Sequence, residues 1–575
     1  MMSREIKREE FPNPAFVRTR WKSLDGTWKF AFDGDNIEEI TYPMEIQVPF
    51  CYQSKMSGIG SDEPHEVVWY NRQFSLAEEE LEGEVLLRFG AVDYIARVWV
   101  NGEYVGRHEG GNTPFAFEIG KYLQVGDNDV TVKAEDSFSK ELPRGKQMWD
   151  QKPWSCWYTN TTGIWQSVWL EFTEKNYITS VRITPDLDQN RATFTIRAKE
   201  EKNLTVKAEL SLGERELGEL IITPKEGKAE GTFTFEEFGP AAVGMLWWTA
   251  EQPNLIDVKV TLYQDGNEMD VVDTYFGMRK IHKEGDKLFI NNSLLTQRLV
   301  LDQGYWPESL MTPPSNEAIK KDVELTKAMG FNGARKHQKI DDPRYYYWAD
   351  KLGLLVWGEL PSAFDFTAES RKRLMDEMYE FIQRDYNHPC IISWVPMNES
   401  WGIYEVADNE QQRNFARALY YMIKGEDPIR LVSSNDGWDQ IEETDFCGIH
   451  DYAITPENAQ ERYKDVYDVL KGSVNFKPIY ARGIQYNGVP ILLTEMGGVK
   501  LKESEGWGYS KDIKDEEEML KYLENIMREV RRFKNIQGYC YTQLTDIMQE
   551  TNGLLDADRN PKVPLDKLRK IFLGV

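Results

Sequence analysis

The chain has 575 residues, 69 Lys+Arg against 95 Asp+Glu and a net charge of −26, a balance that repels polyphosphate backbones and anionic membrane surfaces and argues against nucleic acid or membrane partners. At roughly 100 to 200 residues per domain this length asks for about three domains. Hydrophobic content of 41% and charged content of 29% are those of a globular protein, which excludes a disordered or membrane-spanning chain.

At the N-terminus, Met1 to Glu10 is charged and lacks the apolar stretch of a secretory signal, so a cytoplasmic protein is expected. The five cysteines, Cys51, Cys156, Cys390, Cys447 and Cys540, are scattered without a CxxC pair and read as reduced thiols. From Trp21 to about Phe172 short strands alternate with turns, among them Val85–Phe89 and Ala96–Val100, the latter followed by the hairpin signal Asn101-Gly102. Residues 1–172 are therefore expected to form a β-sandwich. Alternation continues through Thr193–Arg197, Leu204–Leu212 and Ile256–Tyr263, so residues 173–278 are expected to form an immunoglobulin-like β-sandwich.

After Gly277 apolar β-branched runs alternate with segments of helical periodicity. Eight candidate strands follow: 297–302, 330–335, 354–360, 390–396, 429–434, 446–450, 490–495 and 538–543. Helices are expected at 316–329, 368–386 and 516–533, while the fifth and sixth are poorly defined. Residues 279–575 thus read as a (β/α)8 TIM barrel.

Barrel enzymes carry their chemistry where strands end, so an acidic residue closing an apolar run there is a candidate. Asn-Glu occurs at Asn267, Asn316, Asn398 and Asn409, but only Asn398-Glu399 follows a strand-like run, Ile391 to Met397. Glu495 likewise ends Pro490-Ile-Leu-Leu-Thr-Glu495, before Gly497-Gly498. Two facing carboxylates are what glycoside hydrolysis requires: one protonates the leaving oxygen and one attacks or stabilises the oxocarbenium-like centre. By position alone, either could equally be a structural carboxylate at the rim. A scatter of six histidines without ligand spacing points to no metal or cofactor.

Leu24-Asp-Gly-Thr-Trp-Lys-Phe30, Val98-Trp-Val-Asn-Gly-Glu-Tyr-Val-Gly106, Thr162-Gly-Ile-Trp-Gln-Ser-Val-Trp-Leu170, Leu246 to Leu255 and Phe276-Gly-Met-Arg279, with Trp394-Val-Pro-Met-Asn-Glu399 and Thr494-Glu-Met-Gly-Gly498 in the barrel, resemble motifs of glycoside hydrolase family 2, which includes β-galactosidases, β-glucuronidases and β-mannosidases. The resemblance spans nearly the whole chain. It implies a jelly-roll sugar-binding domain, an immunoglobulin-like sandwich and a catalytic barrel, with Glu399 as acid/base and Glu495 as nucleophile of an exo-acting, retaining mechanism. It further implies that Arg335 keeps Glu495 ionised, that Asn398 meets the sugar 2-hydroxyl and that Tyr452 holds the nucleophile. His337, Asp302, Trp507 and Gln543 are expected to touch a hydroxyl or stack on a ring, and Glu359 is a third rim carboxylate without a catalytic role in the family pattern. Some members of the family bind Mg²⁺ or Na⁺ near the site.

Two departures bear on the sugar. Trp157 stands where well-known β-galactosidases and β-glucuronidases have an aspartate, and the Asn-x-Lys pair of β-glucuronidases is not evident in Asn552-Gly-Leu-Leu-Asp556, although Asn560-Pro-Lys562 follows. The cationic run Arg335-Lys336-His337-Gln338-Lys339 is either a solvated loop or a grip for a uronate carboxylate. The expected substrate is a small carbohydrate or glycoconjugate with a terminal β-galactoside-like sugar; a β-uronide, galacturonide or glucuronide, is the alternative. A catalytically inactive carbohydrate-binding protein is the alternative of a different class, and a homo-oligomer is allowed.

Overall fold

The computed structural model describes residues 11–150, 152–200, 202–224, 228–235 and 244–575; the charged Met1 to Glu10 stretch lies outside the described residues. In the first domain a six-stranded antiparallel sheet (Met44–Val48, Gly26–Phe32, Val67–Leu76, Gly126–Glu135, Ile95–Val100, Glu103–Glu109, in spatial order) faces a four-stranded one (Trp21–Ser23, Val168–Thr173, Glu84–Phe89, Phe115–Glu118). Strand alternation builds the core between them: Ala96, Val98 and Val100 are buried while Arg97 and Trp99 between them are half-buried. The hairpin read from Asn101-Gly102 is present, with φ of 51° and 80° at its two loop residues, the positive values a type I′ turn needs.

The second domain is a seven-stranded sandwich of a three-stranded sheet (Ile178–Asp186, Arg191–Ala198, Lys228–Thr234) and a four-stranded sheet (Arg215–Ile222, Leu204–Leu212, Ile256–Gln264, Asn267–Phe276). Arg18 ties the two sandwiches together. Its Nη1 lies 2.5 Å from Glu171 Oε2 in the first domain and its Nη2 2.8 Å from Asp270 Oδ2 in the second, with all three side chains buried.

The barrel strands are β1 (Gln297–Asp302), β2 (Gly333–Lys336), β3 (Leu355–Glu359), β4 (Ile391–Val395), β5 (Leu431–Val432), β6 (Cys447–His450), β7 (Ile491–Gly497) and β8 (Ile536–Thr542), in one parallel sheet of order β5-β4-β3-β2-β1-β8-β7-β6. The seam beside β5, which has only two residues, is spanned by Asp445 N donating to Val432 O at 2.8 Å. The expected strands stand within three residues of their observed ends. Helices α1 (Asn316–Ala328), α2 (Pro343–Leu352), α3 (Ala368–Asp385) and α4 (Glu410–Glu426) follow β1 to β4. Ser315, Asp342, Thr367 and Asn409 cap their first turns through side-chain oxygens. No helix separates β5 from β6 among the described residues. Only α5 (Ala459–Arg462) and α6 (Val466–Lys471) follow β6, before α7 (Glu516–Val530) and α8 (Leu565–Leu573) complete the ring. The indistinct fifth and sixth helices thus reflect a barrel in which loops replace them. No described helix is long and apolar enough to cross a membrane.

Replacing Arg18 with Met leaves Asp270 buried without its cation, while Glu171 keeps Arg88 at 2.8 Å, so the protein is expected to lose roughly 3 kcal/mol of stability. The check is a shift of the urea midpoint, followed by fluorescence.

Candidate active site

The site is built around Arg335, at the carboxyl end of β2 and completely buried. Its Nε donates to Glu359 Oε2 at 2.7 Å and its Nη2 to Asn398 Oδ1 at 2.6 Å, while Nη1 lies 2.7 Å from Asp436 Oδ2 and 3.2 Å from Glu495 Oε1. The ends of β3, β4 and β7 and the loop after β5 therefore converge on one guanidinium. Glycine at 448 makes room, because a Cβ there would fall 1.8 Å from Asp436 Oδ1. Burial pushes the Asp436 carboxyl up, but Arg335 and His450 outweigh it and bring its pKa to about 2.

Glu399 and Ser400 leave β4 with φ of 52° and 59°, a left-handed pair that costs about 1 to 3 kcal/mol per residue. Hydrogen bonds from Glu399 N to Asp436 O (2.8 Å), Ser400 N to Asn435 Oδ1 (3.0 Å) and Trp438 Nε1 to Glu399 O (3.1 Å) hold this turn. It directs Glu399 at Glu495, so that their nearest carboxyl oxygens, together with a ring nitrogen of His450, lie within 4.8 Å of one another. His450 bridges the pair: Nδ1 is 2.7 Å from Glu399 Oε1 and 3.4 Å from Glu495 Oε2, and Nε2 is 3.0 Å from Asp436 Oδ2. Burial pushes its pKa down, yet the three carboxylates raise it to about 10, so the imidazole is a cation at neutral pH. Burial likewise raises Glu399, but the hydrogen bond and charge of His450 leave it below its ordinary value. Burial holds Glu495 above its ordinary value despite His450 and Arg335.

Other expected residues divide into two groups. Tyr452 donates to Glu495 Oε2 at 2.5 Å and stacks on Tyr509 at 4.1 Å, and Trp507 stands edge-on to Tyr509 at 4.8 Å with its Nε1 donating to Ser155 O. His337 is buried with Nδ1 3.0 Å from Glu359 Oε1; burial, then Lys146 and Arg335, hold its pKa well below normal, so it is neutral. The Nδ2 of Asn398 is buried without a hydrogen-bond partner. Asp302 and Gln543, by contrast, are hydrogen-bonded to other side chains of the barrel rim. Asp302 accepts from Lys336 Nζ (2.8 Å) and Gly304 N (2.9 Å), and Gln543 is held between Gln303 (2.6 Å) and Asn552 (2.7 Å).

The cationic run is neither a solvated loop nor a grip for substrate. Lys336 Nζ lies 2.8 Å from Asp302 and 2.5 Å from Asp341, and Lys339 Nζ contacts Asp341 (3.2 Å), Gly304 O (2.6 Å) and Met311 O (2.8 Å), both side chains being buried. Lys562 is similarly bound to Asp546 at 2.6 Å. Glu359 is an anchor for Arg335.

The first domain completes the site with its segment 136–162. Arg144 N and Gly145 N both donate to Ser362 O at 3.0 Å, and Gln549 Nε2 donates to Ser155 O and Trp157 O at 2.8 Å. Trp157 packs against Trp401 (centroids 5.6 Å), Trp149 (4.9 Å) and Trp154 (4.7 Å), forming an aromatic wall where the usual aspartate is missing. His450, Asp436 and Lys146 were not among the residues expected from sequence. His450 had a visible signal, a polar residue closing the apolar run Phe446 to Ile449; Asp436 and Lys146 lie in loops and had none.

Models of the glycosyl hydrolases family 2 sugar binding domain, of glycosyl hydrolases family 2 and of the glycosyl hydrolases family 2 TIM barrel domain match residues 37–173, 176–279 and 314–575. The chain belongs to glycosyl hydrolase family 2. Among family 2 relatives, a β-galactosidase of Thermoanaerobacter pseudethanolicus is 29% identical over 392 residues, covering 66% of this chain and 50% of its own length. A β-glucuronidase of Bacteroides fragilis is 26% identical over 447 residues, covering 72% and 61%. The chain spans about half the length of the relatives it matches. The crystal structure of a β-galacturonidase from Eisenbergiella tayi bound to galacturonate shares the fold over 98% of both chains, with a TM-score of 0.76 at 21% identity. A β-glucuronidase of Bifidobacterium dentium does so over 98% of both chains, with a TM-score of 0.79 at 20% identity.

Two outcomes follow from this geometry. The His450 cation lowers both glutamates, so in His450→Asn both pKa values rise and the whole bell of kcat/KM against pH moves to higher pH; a profile unmoved on either limb would mean that His450 is neutral. Lys336→Met leaves Asp302 and Asp341 buried opposite no cation at that position, and is expected to cost about 3 to 5 kcal/mol of stability, read from chemical denaturation.

Proposed function

We propose that this chain is an exo-acting retaining β-glycosidase that releases a terminal β-linked sugar by double displacement. The observation that carries the reading is the close facing of Glu399 and Glu495, whose carboxylates are both reached by His450 Nδ1, at 2.7 and 3.4 Å. Inversion needs carboxyl groups about 6.5 to 9.5 Å apart to hold a water between them, whereas retention uses about 5 to 5.5 Å.

In the first step Glu399 gives its proton to the glycosidic oxygen as the C1–O bond breaks, and Glu495 attacks C1 to form a glycosyl ester. In the second, Glu399 takes a proton from water, whose oxygen attacks C1 and frees Glu495. His450 Nδ1 lies 2.7 Å from Glu399 Oε1, so Glu399, Glu495 and His450 share their protons and titrate as one cluster. Tyr452 and Arg335 each bind one oxygen of Glu495, which orients the nucleophile. The unpartnered Nδ2 of Asn398 suits the sugar 2-hydroxyl, a contact that strengthens as charge develops at C1. Residues 144–145 and 155–157, hydrogen-bonded to the rim at Ser362 and Gln549, are consistent with a site bounded on that side and hence with action on a terminal sugar. The names of the relatives divide between neutral galactosides and uronides, so the reading extends to both sugars. A binding protein on an inactive barrel fits poorly, since the whole cluster around the glutamates is intact.

Glu495→Gln is expected to reduce nitrophenol release from β-glycosides by about 10³-fold or more. Glu399→Ala should be rescued by azide with formation of the β-glycosyl azide, identified by NMR. An α-anomer as the first product of the unaltered enzyme would contradict retention.

A further inference from the structure

The cations that the sequence places near the site are matched by protein oxygens, whereas one that it did not place there is not. Arg335, Lys336, Lys339 and Lys562 all have carboxylate partners. Lys146 does not: it is 4% exposed, and among the described residues its ammonium makes no hydrogen bond and no ion pair, resting instead over the ring of Trp401 at 5.1 Å.

The backbone around Lys146 is fixed on both sides. Gly145 is pressed against the rim so closely that a Cβ would fall 2.2 Å from Gln338 O. Lys146 O accepts from Tyr158 N at 2.7 Å. Gln147 donates to Asp93 Oδ2 and accepts from Thr161 N, both at 2.7 Å. The ammonium is thus delivered to the site by the first domain. Desolvation disfavours the cation, but Cys156 and Glu550, then Glu495 and Glu399, act on it through space and leave its pKa above the ordinary value. The ammonium is therefore charged, and among the described residues it has no oxygen at ion-pair distance, which leaves it open to an anion. The glutamates do not fill that role, since neither is within ion-pair distance.

We propose that Lys146 is the specificity-determining residue of this site, binding the carboxylate of a terminal β-linked uronic acid. This rests on the glycosidase reading above. With C1 between the two glutamates and the 2-hydroxyl at Asn398, the C5 substituent, across the ring from C2, is turned away from the Arg335 cluster, which is already saturated. A hydroxymethyl group there leaves the ammonium without an ion-pair partner; a carboxylate supplies one. Lys146 therefore does the work that the sequence suggested for Lys336 and Lys339.

The test compares Lys146→Met and Lys146→Arg with the unaltered protein on nitrophenyl β-galacturonide, β-glucuronide and β-galactoside. The ratio of kcat/KM for the preferred uronide to that for the galactoside is expected to fall about 100-fold in Lys146→Met, mostly through KM, and to recover in part in Lys146→Arg. A parallel fall on uronide and galactoside, or an unaltered enzyme that prefers the galactoside, overturns the proposal. Titration of free galacturonate and glucuronate into Glu495→Gln, with and without Lys146→Met, reads the same contact without turnover. Uronate binding lost only with Lys146 supports the proposal even if no substrate is cleaved, which would count against the glycosidase reading alone. Uronate binding that is absent, or unaffected by the substitution, overturns it. Melting temperatures identify a variant that has failed to fold, in which case Lys146→Arg decides: retained uronide preference supports the proposal, and loss of that preference with an unchanged melting temperature overturns it.

Discussion

A guanidinium taken wholly out of water must be matched on every side, and around Arg335 that requirement fixes much of the rest. Removing a cation and its carboxylate partners from solvent costs several kcal/mol per ion and is offset only when the geometry is good. Glu359, Asn398, Asp436 and Glu495 meet it from four different segments, so none can move without leaving a charge buried and unmatched. The short β5, the bare Gly448 and the two left-handed residues after β4 are local irregularities that bring Asp436 and Glu399 to this centre. A regular strand and helix at that position would have carried Asp436 elsewhere.

The same physics sorts the lysines. Lys336 and Lys339 are buried with Asp302 and Asp341 and belong to the framework beneath the rim. Lys146 is equally buried and has no such partner. In a low-dielectric interior a matched cation stabilises the protein, and an unmatched one is at the disposal of a ligand. Charge and burial are alike in the two cases; the pairing alone distinguishes scaffold from site.

Much of this architecture could be read in advance, because strand ends in a parallel barrel are marked by apolar runs that stop at a polar residue. That rule picked out Glu399 and Glu495, and the family resemblance placed Arg335 beside them. It also picked Asp302, which obeys the same pattern but neutralises Lys336. What could not be read is pairing between distant segments. His450 bridges Glu399, 51 residues before it in sequence, and Asp436, in the loop after β5, and no local pattern encodes that meeting. A cationic run such as Arg335 to Lys339 looks the same in a sequence whether it faces water or is folded inward. The fifth and sixth helices were indistinct for a simpler reason, since loops and two short turns of helix stand there.

Segment 136–162 adds a separate consequence. The groups that surround C1 of a bound sugar all come from the barrel, whereas Lys146, Trp149, Trp154 and Trp157 come from a domain with its own core. On the proposed reading, bond-breaking and discrimination are thereby housed in two domains joined across one rim. Mutation or recombination in the first module can redirect the enzyme to a new glycan while the reactive centre stays untouched, so selectivity is the trait of this architecture most free to drift.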